Sequence, residues 1–132
     1  MKKQNLFLMT AAIGIFPVAM SYGLLPGYFF GIDLNTPELV NIFRAIMGLY
    51  TAMGIFWLIG ALKKTYTEAA LYSVAVFMGG LSIARILSIN IDGMPNAILL
   101  AYTAVEIAIG TTALWLINQN QQQINNAVLE NA

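Results

Sequence analysis

The stretch EAALYSVAVFMGGLSIARILSI, residues 68–89, decides the fold. It is long enough to cross roughly 30 Å of hydrocarbon as a helix rising 1.5 Å per residue. Between Glu68 and Ile89 it carries a single charged side chain, Arg85. A charge at that depth costs from about 3 to over 10 kcal/mol in lipid unless it is paired or wetted. Arg85 is therefore expected to face the protein interior and to meet a partner.

Three further apolar runs flank this one, at 6–25, 37–62 and 95–117. Backbone polar groups in lipid must be satisfied within their own segment, so all four runs are expected to be helices. Composition agrees. Of 132 residues, 59% are hydrophobic and 9% charged, and mean hydropathy is +0.74. Soluble domains carry about 25% charged residues. The expected fold is all-α: a polytopic membrane protein with four transmembrane helices in an antiparallel bundle. It forms one domain over residues 1–132, and a polar tail at 118–132 either continues the last helix as an amphipathic stub or, the favoured reading, is disordered beyond Gln123.

Local signals place the boundaries. Thr36-Pro37-Glu38 reads as an N-cap, a proline at the first helical position and an acid in the first turn. Asp92-Gly93-Met94-Pro95 reads as a tight turn whose proline opens the fourth helix. Lys63 to Glu68 forms a polar connection, and 26–36 and 90–95 read as loops. Pro17 is expected to kink the first helix. Trp57 and Trp115, with Tyr66, are expected in the interfacial belt. Small residues at helical spacing, Ala75 with Gly79 and Ala104 with Ala108 and Thr112, predict close helix packing.

Lys2, Lys3, Lys63 and Lys64 fall on one side, and the opposite loops hold Asp33, Glu38 and Asp92. The positive-inside rule then puts both termini in the cytoplasm, with a bacterial inner membrane as the expected location. Lys2-Lys3 and Ala19-Met20-Ser21 outline a signal peptide, but the apolar run continues to Leu25 and reads as a retained helix.

The chain has no cysteine and no histidine. Disulfides, thiolate nucleophiles, ordinary zinc sites, His-ligated haem and catalytic histidine chemistry are thereby excluded. No cofactor is expected. A net charge of +0 with no basic stripe argues against nucleic acid. The chain leans away from enzymes. The remaining catalytic route, Glu106 as a general base, is opposed by an adjacent arginine that keeps the carboxylate ionised.

Helical spacing groups the polar residues into stripes: Asn41, Arg44, Gly48 and Thr51; Ser82, Arg85 and Ser88; Tyr102, Glu106 and Gly110. Each stripe is expected to face the bundle interior. Helical side chains lean toward their own N-terminus. Arg85 then reaches toward the midplane from one side and Glu106 from the other, which predicts an Arg85–Glu106 ion pair. Arg44 leans toward Glu38, Asp92 or an outer-leaflet group.

Two deep positive charges against one negative suggest a cleft open to the outer leaflet that accepts a lipid headgroup, a quinone or a small organic anion. Asn41, Tyr50, Ser82, Ser88 and Tyr102 would add hydrogen bonds. The other reading is a structural or accessory subunit of a larger membrane complex, or a homo-oligomer, in which the Arg/Glu network only fixes helix register. Both stay open at this point. The lipid bilayer is the partner common to both.

Two stretches carry a family resemblance. One runs from Leu39 through Asn41, Arg44, Gly48 and Tyr50 to Gly54 and Trp57. The other is Arg85-Ile-Leu-Ser88-Ile-Asn-Ile-Asp92-Gly93-Met-Pro95, followed by Glu106. Together they resemble a bacterial family of four-helix membrane proteins known as a domain of unknown function (family 4345), over roughly residues 6 to 117. The Arg-x-x-Ser-x-x-x-Asp-Gly-x-Pro run is its most specific part. The family pattern usually has Gly before that Arg, where this chain has Ala84. The resemblance implies a topology and no activity.

Overall fold

The computed structural model describes residues 2–130, in which five helices form: α1 (Lys3–Gly23), α2 (Pro26–Phe30), α3 (Pro37–Leu62), α4 (Lys64–Asp92) and α5 (Ala97–Glu130). All except α2 are long and apolar enough to cross a membrane. No strand occurs among the described residues. Ile13, Leu49, Val76, Ile83 and Leu114 are all more than half exposed on the outer faces. Apolar surface on that scale needs lipid around it. The chain is an all-α, multi-pass membrane protein.

Helix ends follow from local chemistry. Thr36 Oγ1 accepts a hydrogen bond from the Leu39 amide at 3.3 Å, ahead of Pro37 at the first helical position. At α5 the cap is Asn96, whose Oδ1 accepts from the Leu99 amide at 3.0 Å. Pro95 therefore precedes the helix instead of opening it, because an asparagine can accept from a free amide of the first turn. The α3–α4 connection narrows to Lys63 alone. Thr67 Oγ1 donates to the Gly60 carbonyl at 2.8 Å and holds the start of α4 against the end of α3.

Two elements differ from expectation. The loop expected at 26–36 contains α2, a helix of 5 residues opened by Pro26 and ended by Gly31 at φ 68. That left-handed conformation favours glycine and stops the helix. The tail does not leave the helix at Gln123: α5 runs on to Glu130. Gln121 Nε2 donates to the Tyr72 hydroxyl at 2.9 Å, and Gln4 of α1 donates to Asn120. Both bonds tether the first polar turns of this extension. The last two positions of the expected tail, 131 and 132, lie outside the described residues.

In space the order is α1, α3, α4, α5, with a lighter contact between α1 and α4. Glycines set the close approaches. A Cβ on Gly54 would strike Ile15 and Phe16 of α1, and one on Gly60 would strike Ala70 of α4 and crowd Leu8. Gly110 of α5 lies over Met78 and Gly79 of α4. Without a hydrophobic drive between helices in lipid, such small residues decide where backbones meet. The stripe of Ala104, Ala108 and Thr112 is exposed instead, because the Gly110 face is the one α5 turns to α4.

Trp57 does not lie in the interfacial belt. It is 0% exposed, packed in the core with Leu8, Leu71 and Val74. Its Nε1 donates to Ser73 Oγ at 3.0 Å, which removes the need for an interfacial position. Trp115 and Tyr66 remain exposed.

Candidate ligand pocket at the α1–α5 seam

Helices α1 and α5 do not pack along their length. They are joined near the ends of α1, by Gln4 with Asn120 and by the Tyr102 hydroxyl to Ser21 Oγ at 3.1 Å. Between these two ties lies a cavity of about 250 Å³. Gly14, Ile15 and Val18 form one wall and Val105 and Ile109 the other, while Tyr50, Met78 and Glu106 line it from behind. Gly14 and Val105 are exposed at its rim, so the cavity opens sideways, toward lipid.

The polar part of the site is built around Arg85. Its Nε donates to Glu106 Oε2 at 2.7 Å and its Nη2 to the Tyr22 hydroxyl at 2.5 Å. Tyr22 stacks on Tyr50, ring centroids 5.4 Å apart, and packs against Phe30 at 4.8 Å. One cation thus ties α4 to α5 and α1, and the rings extend the network to α3 and α2. The side chains of Arg85 and Glu106 are 19% and 6% exposed. This is the pairing a buried charge requires.

Glu106 uses only half of its acceptor capacity. Oε2 is bonded to Arg85, but Oε1 is buried and has no hydrogen-bond partner. Tyr50 stands beside the pair, with its hydroxyl close enough to interact with both Arg85 and Glu106. Buried carboxylate oxygens are nearly always bonded, so an orphan of this kind asks for an explanation.

The candidate residues divide into those that gather here and those that do not. Arg85, Glu106, Tyr50 and Tyr102 come together, and Ser82 is buried one turn before Arg85 with its hydroxyl bonded to the Met78 carbonyl at 2.7 Å. Arg44 and Asn41 do not. Both are exposed, lining a shallow depression with Asn35 and Pro37 at the start of α3. Glu38 and Asp92 are exposed as well, and neither pairs with Arg44; Asp92 accepts from Ser88 Oγ at 2.9 Å. The buried stripe of α3 is Tyr50, Gly54, Trp57 and Ala61. Arg44 lies roughly 120° around the helix from Tyr50 at 3.6 residues per turn. A long side chain close to a helix end reaches the interface without entering the bundle.

Two consequences follow. The site holds one positive and one negative charge, not an excess of cations. The cleft expected to open at the acidic end, the end bearing Asp33, Glu38 and Asp92, is filled there by Phe30 of α2. That ring is buried against Tyr22 and Tyr102. Ser21, Tyr22 and Phe30 were not among the residues singled out by sequence. The available signal was Ser21-Tyr22 followed by Gly23, a polar pair at the end of an otherwise apolar run.

The family described as Domain of unknown function (DUF4345) matches residues 4–117. No curated protein and no solved structure matches the chain.

Proposed function

The chain belongs to the DUF4345 family, a domain of unknown function, and we propose that it binds an apolar molecule that reaches the α1–α5 cavity from within the bilayer. The unfilled seam carries this reading. A cavity of about 250 Å³ with apolar walls lies between two helices that are tied only near the ends of the seam. It exceeds the roughly 150 Å³ that accommodates benzene in an engineered protein core. A quinone ring or the upper part of a lipid fits that class. A small organic anion fits less well, because Arg85 is already committed to Glu106 and Tyr22. In this reading the basic end, with Lys2, Lys3, Lys63 and Lys64, faces the cytoplasm of a bacterial inner membrane.

The test is photolabelling of the full chain in phosphatidylcholine nanodiscs with a diazirine-bearing decanol. Label is expected on the helix faces around Gly14 and Val105, and Gly14→Leu is expected to abolish it. A Cβ at Gly14 meets nothing within 4 Å, so the added side chain fills the cavity and not a neighbour. Label spread evenly over all lipid-facing surfaces, and indifferent to Gly14→Leu, would refute the reading.

One observation favours a second reading. Arg85, Tyr22 and Glu106 link three spanning helices without help from a ligand, as a purely structural clamp in an accessory subunit would. If that is the whole role, Arg85→Leu combined with Glu106→Leu restores a stable fold and leaves growth and partner copurification unchanged.

A further inference from the structure

We infer that the occupant of the α1–α5 cavity is a neutral, hydroxyl-headed molecule, a primary alcohol or a phenol, whose O–H donates to Glu106 Oε1. This deepens the pocket reading above and rests on it. The cavity by itself specifies only something apolar. What specifies the head is the one buried side-chain polar atom, among the described residues, that is left without a hydrogen bond. Glu106 is 4% exposed and lines the cavity, and its Oε1 makes no hydrogen bond.

The chemistry of that atom narrows the head. Oε1 belongs to a carboxylate whose other oxygen is held by Arg85 Nε at 2.7 Å. An ionised carboxylate only accepts, so the ligand must donate. An ether, ester or quinone carbonyl offers nothing to it. A carboxylate or phosphate head would bring a second negative charge against Glu106 in a poorly solvated site. An ammonium head would donate, but it would bring a second positive charge beside Arg85 and leave the ion pair unbalanced. The Arg85–Glu106 pair is neutral as a unit, and a neutral O–H completes it without changing its charge. A hydrogen bond to a charged acceptor is also among the stronger ones available, and more so away from water.

The position agrees with a molecule lying along the membrane normal. Tyr102 lies one turn before Glu106 on α5, at the end of the cavity where Ser21 closes the seam. Ile109 and Phe7 continue the apolar wall in the other direction. The head would sit against Glu106, beside Tyr50, and the chain or ring substituent would run down the seam toward Phe7.

The experiment is competition against the diazirine label in the same nanodiscs, with concentrations expressed per lipid. The competitors are 1-decanol, methyl nonyl ether and decanoate at pH 9. Decanol is expected to displace the label at a level roughly ten- to a hundredfold below that of the ether, and decanoate is expected not to displace it. The Arg85→Leu, Glu106→Leu double variant removes the acceptor without leaving an unpaired charge. The label, itself an alcohol, is expected to weaken in this variant by a similar factor, and decanol and the ether are expected to displace what remains at equal levels.

If the ether competes as well as the alcohol, the inference is wrong: Tyr50 or a water then satisfies Oε1, and the pocket reading survives without it. If decanoate competes best, the site takes an anion and the inference is again wrong. Should the label ignore Gly14→Leu altogether, the pocket reading fails and this inference with it. A double variant that does not fold leaves the wild-type series of competitors to decide.

Discussion

Helix α1 stands beside both α3 and α5 and treats them differently. Against α3 it is knit closely. Gly54 receives Ile15 and Phe16, Leu8 lies near Gly60, and Gly23 of α1 leaves room only for Met47. Against α5 it stands apart, joined by Gln4 with Asn120 and Ser21 with Tyr102 around a cavity of about 250 Å³. Composition does not explain the difference, since Ala11 and Gly14 on the open side are as small as the residues on the closed side. Complementarity does. Across the closed seam Gly54 and Gly23 each face a large side chain of the opposite helix. Across the open seam Gly14 faces nothing within 4 Å, and the α5 wall offers Val105 and Ile109 without a side chain long enough to fill the space. In lipid, where apolar surface gains nothing by leaving the solvent, an unmatched seam has no reason to collapse.

The largest expected effect comes from the charge pair at the back of the open seam. Arg85→Leu alone strands Glu106 and is expected to cost roughly 3–5 kcal/mol, read as loss of folded protein in a denaturant titration in mild detergent. Adding Glu106→Leu should return most of it. An equal loss in the single and double variants would mean that the arginine acts through packing. Next is the closed seam. Gly54→Val pushes a side chain into Ile15 and Phe16 of α1, and a loss of about 1–3 kcal/mol or more is expected in the same titration.

Smaller effects belong to the ties of the open seam. Ser21→Ala removes the acceptor of the Tyr102 hydroxyl. Interhelical hydrogen bonds in membrane proteins average about 0.6 kcal/mol, so a small loss of that order is expected, with faster hydrogen exchange along the adjoining faces. Last comes Gly14→Leu, expected to stay within about 0.5 kcal/mol of wild type while abolishing the photolabel. A large destabilisation there would show that the seam is closed in the membrane and that the two sides of α1 are alike after all.

Much of this arrangement was legible in the chain. The four spans follow from length and hydropathy. Thr36 announced the start of α3. The convergence of Arg85 and Glu106 followed from the lean of helical side chains, because α4 and α5 are consecutive and their relative direction was certain. Arg44 lies outside the bundle interior for a physical reason. Periodicity tells which residues of a helix share a face, but not which face the neighbours take. On α3 the deciding residues were Gly54, whose absent side chain admits α1, Gly60, whose absent side chain admits α4, and Trp57, which fills the core. A polar stripe near a helix end has a second escape, toward the interface, that a stripe at the midplane lacks. Helix α2 was hidden because a helix of 5 residues leaves no periodic trace. The extension of α5 was one of two open readings, because glutamine and asparagine give no core-facing pattern and the tie to Tyr72 that favours it is tertiary.

The one-residue connection at Lys63 bears on the order in which these contacts can form. The bond from Trp57 to Ser73 joins residues 16 apart in the chain, so α3 and α4 can close on each other as soon as both are made. The bond from Gln4 to Asn120 joins residues 116 apart. Loop closure of that length has to wait for every intervening helix to be in place. The seam that stays open in the finished molecule is therefore also the last to be assembled. During synthesis α1 and the α3–α4 hairpin stand complete, with the acidic end of the bundle still lacking Tyr102 and Arg85 still lacking its carboxylate, until α5 arrives.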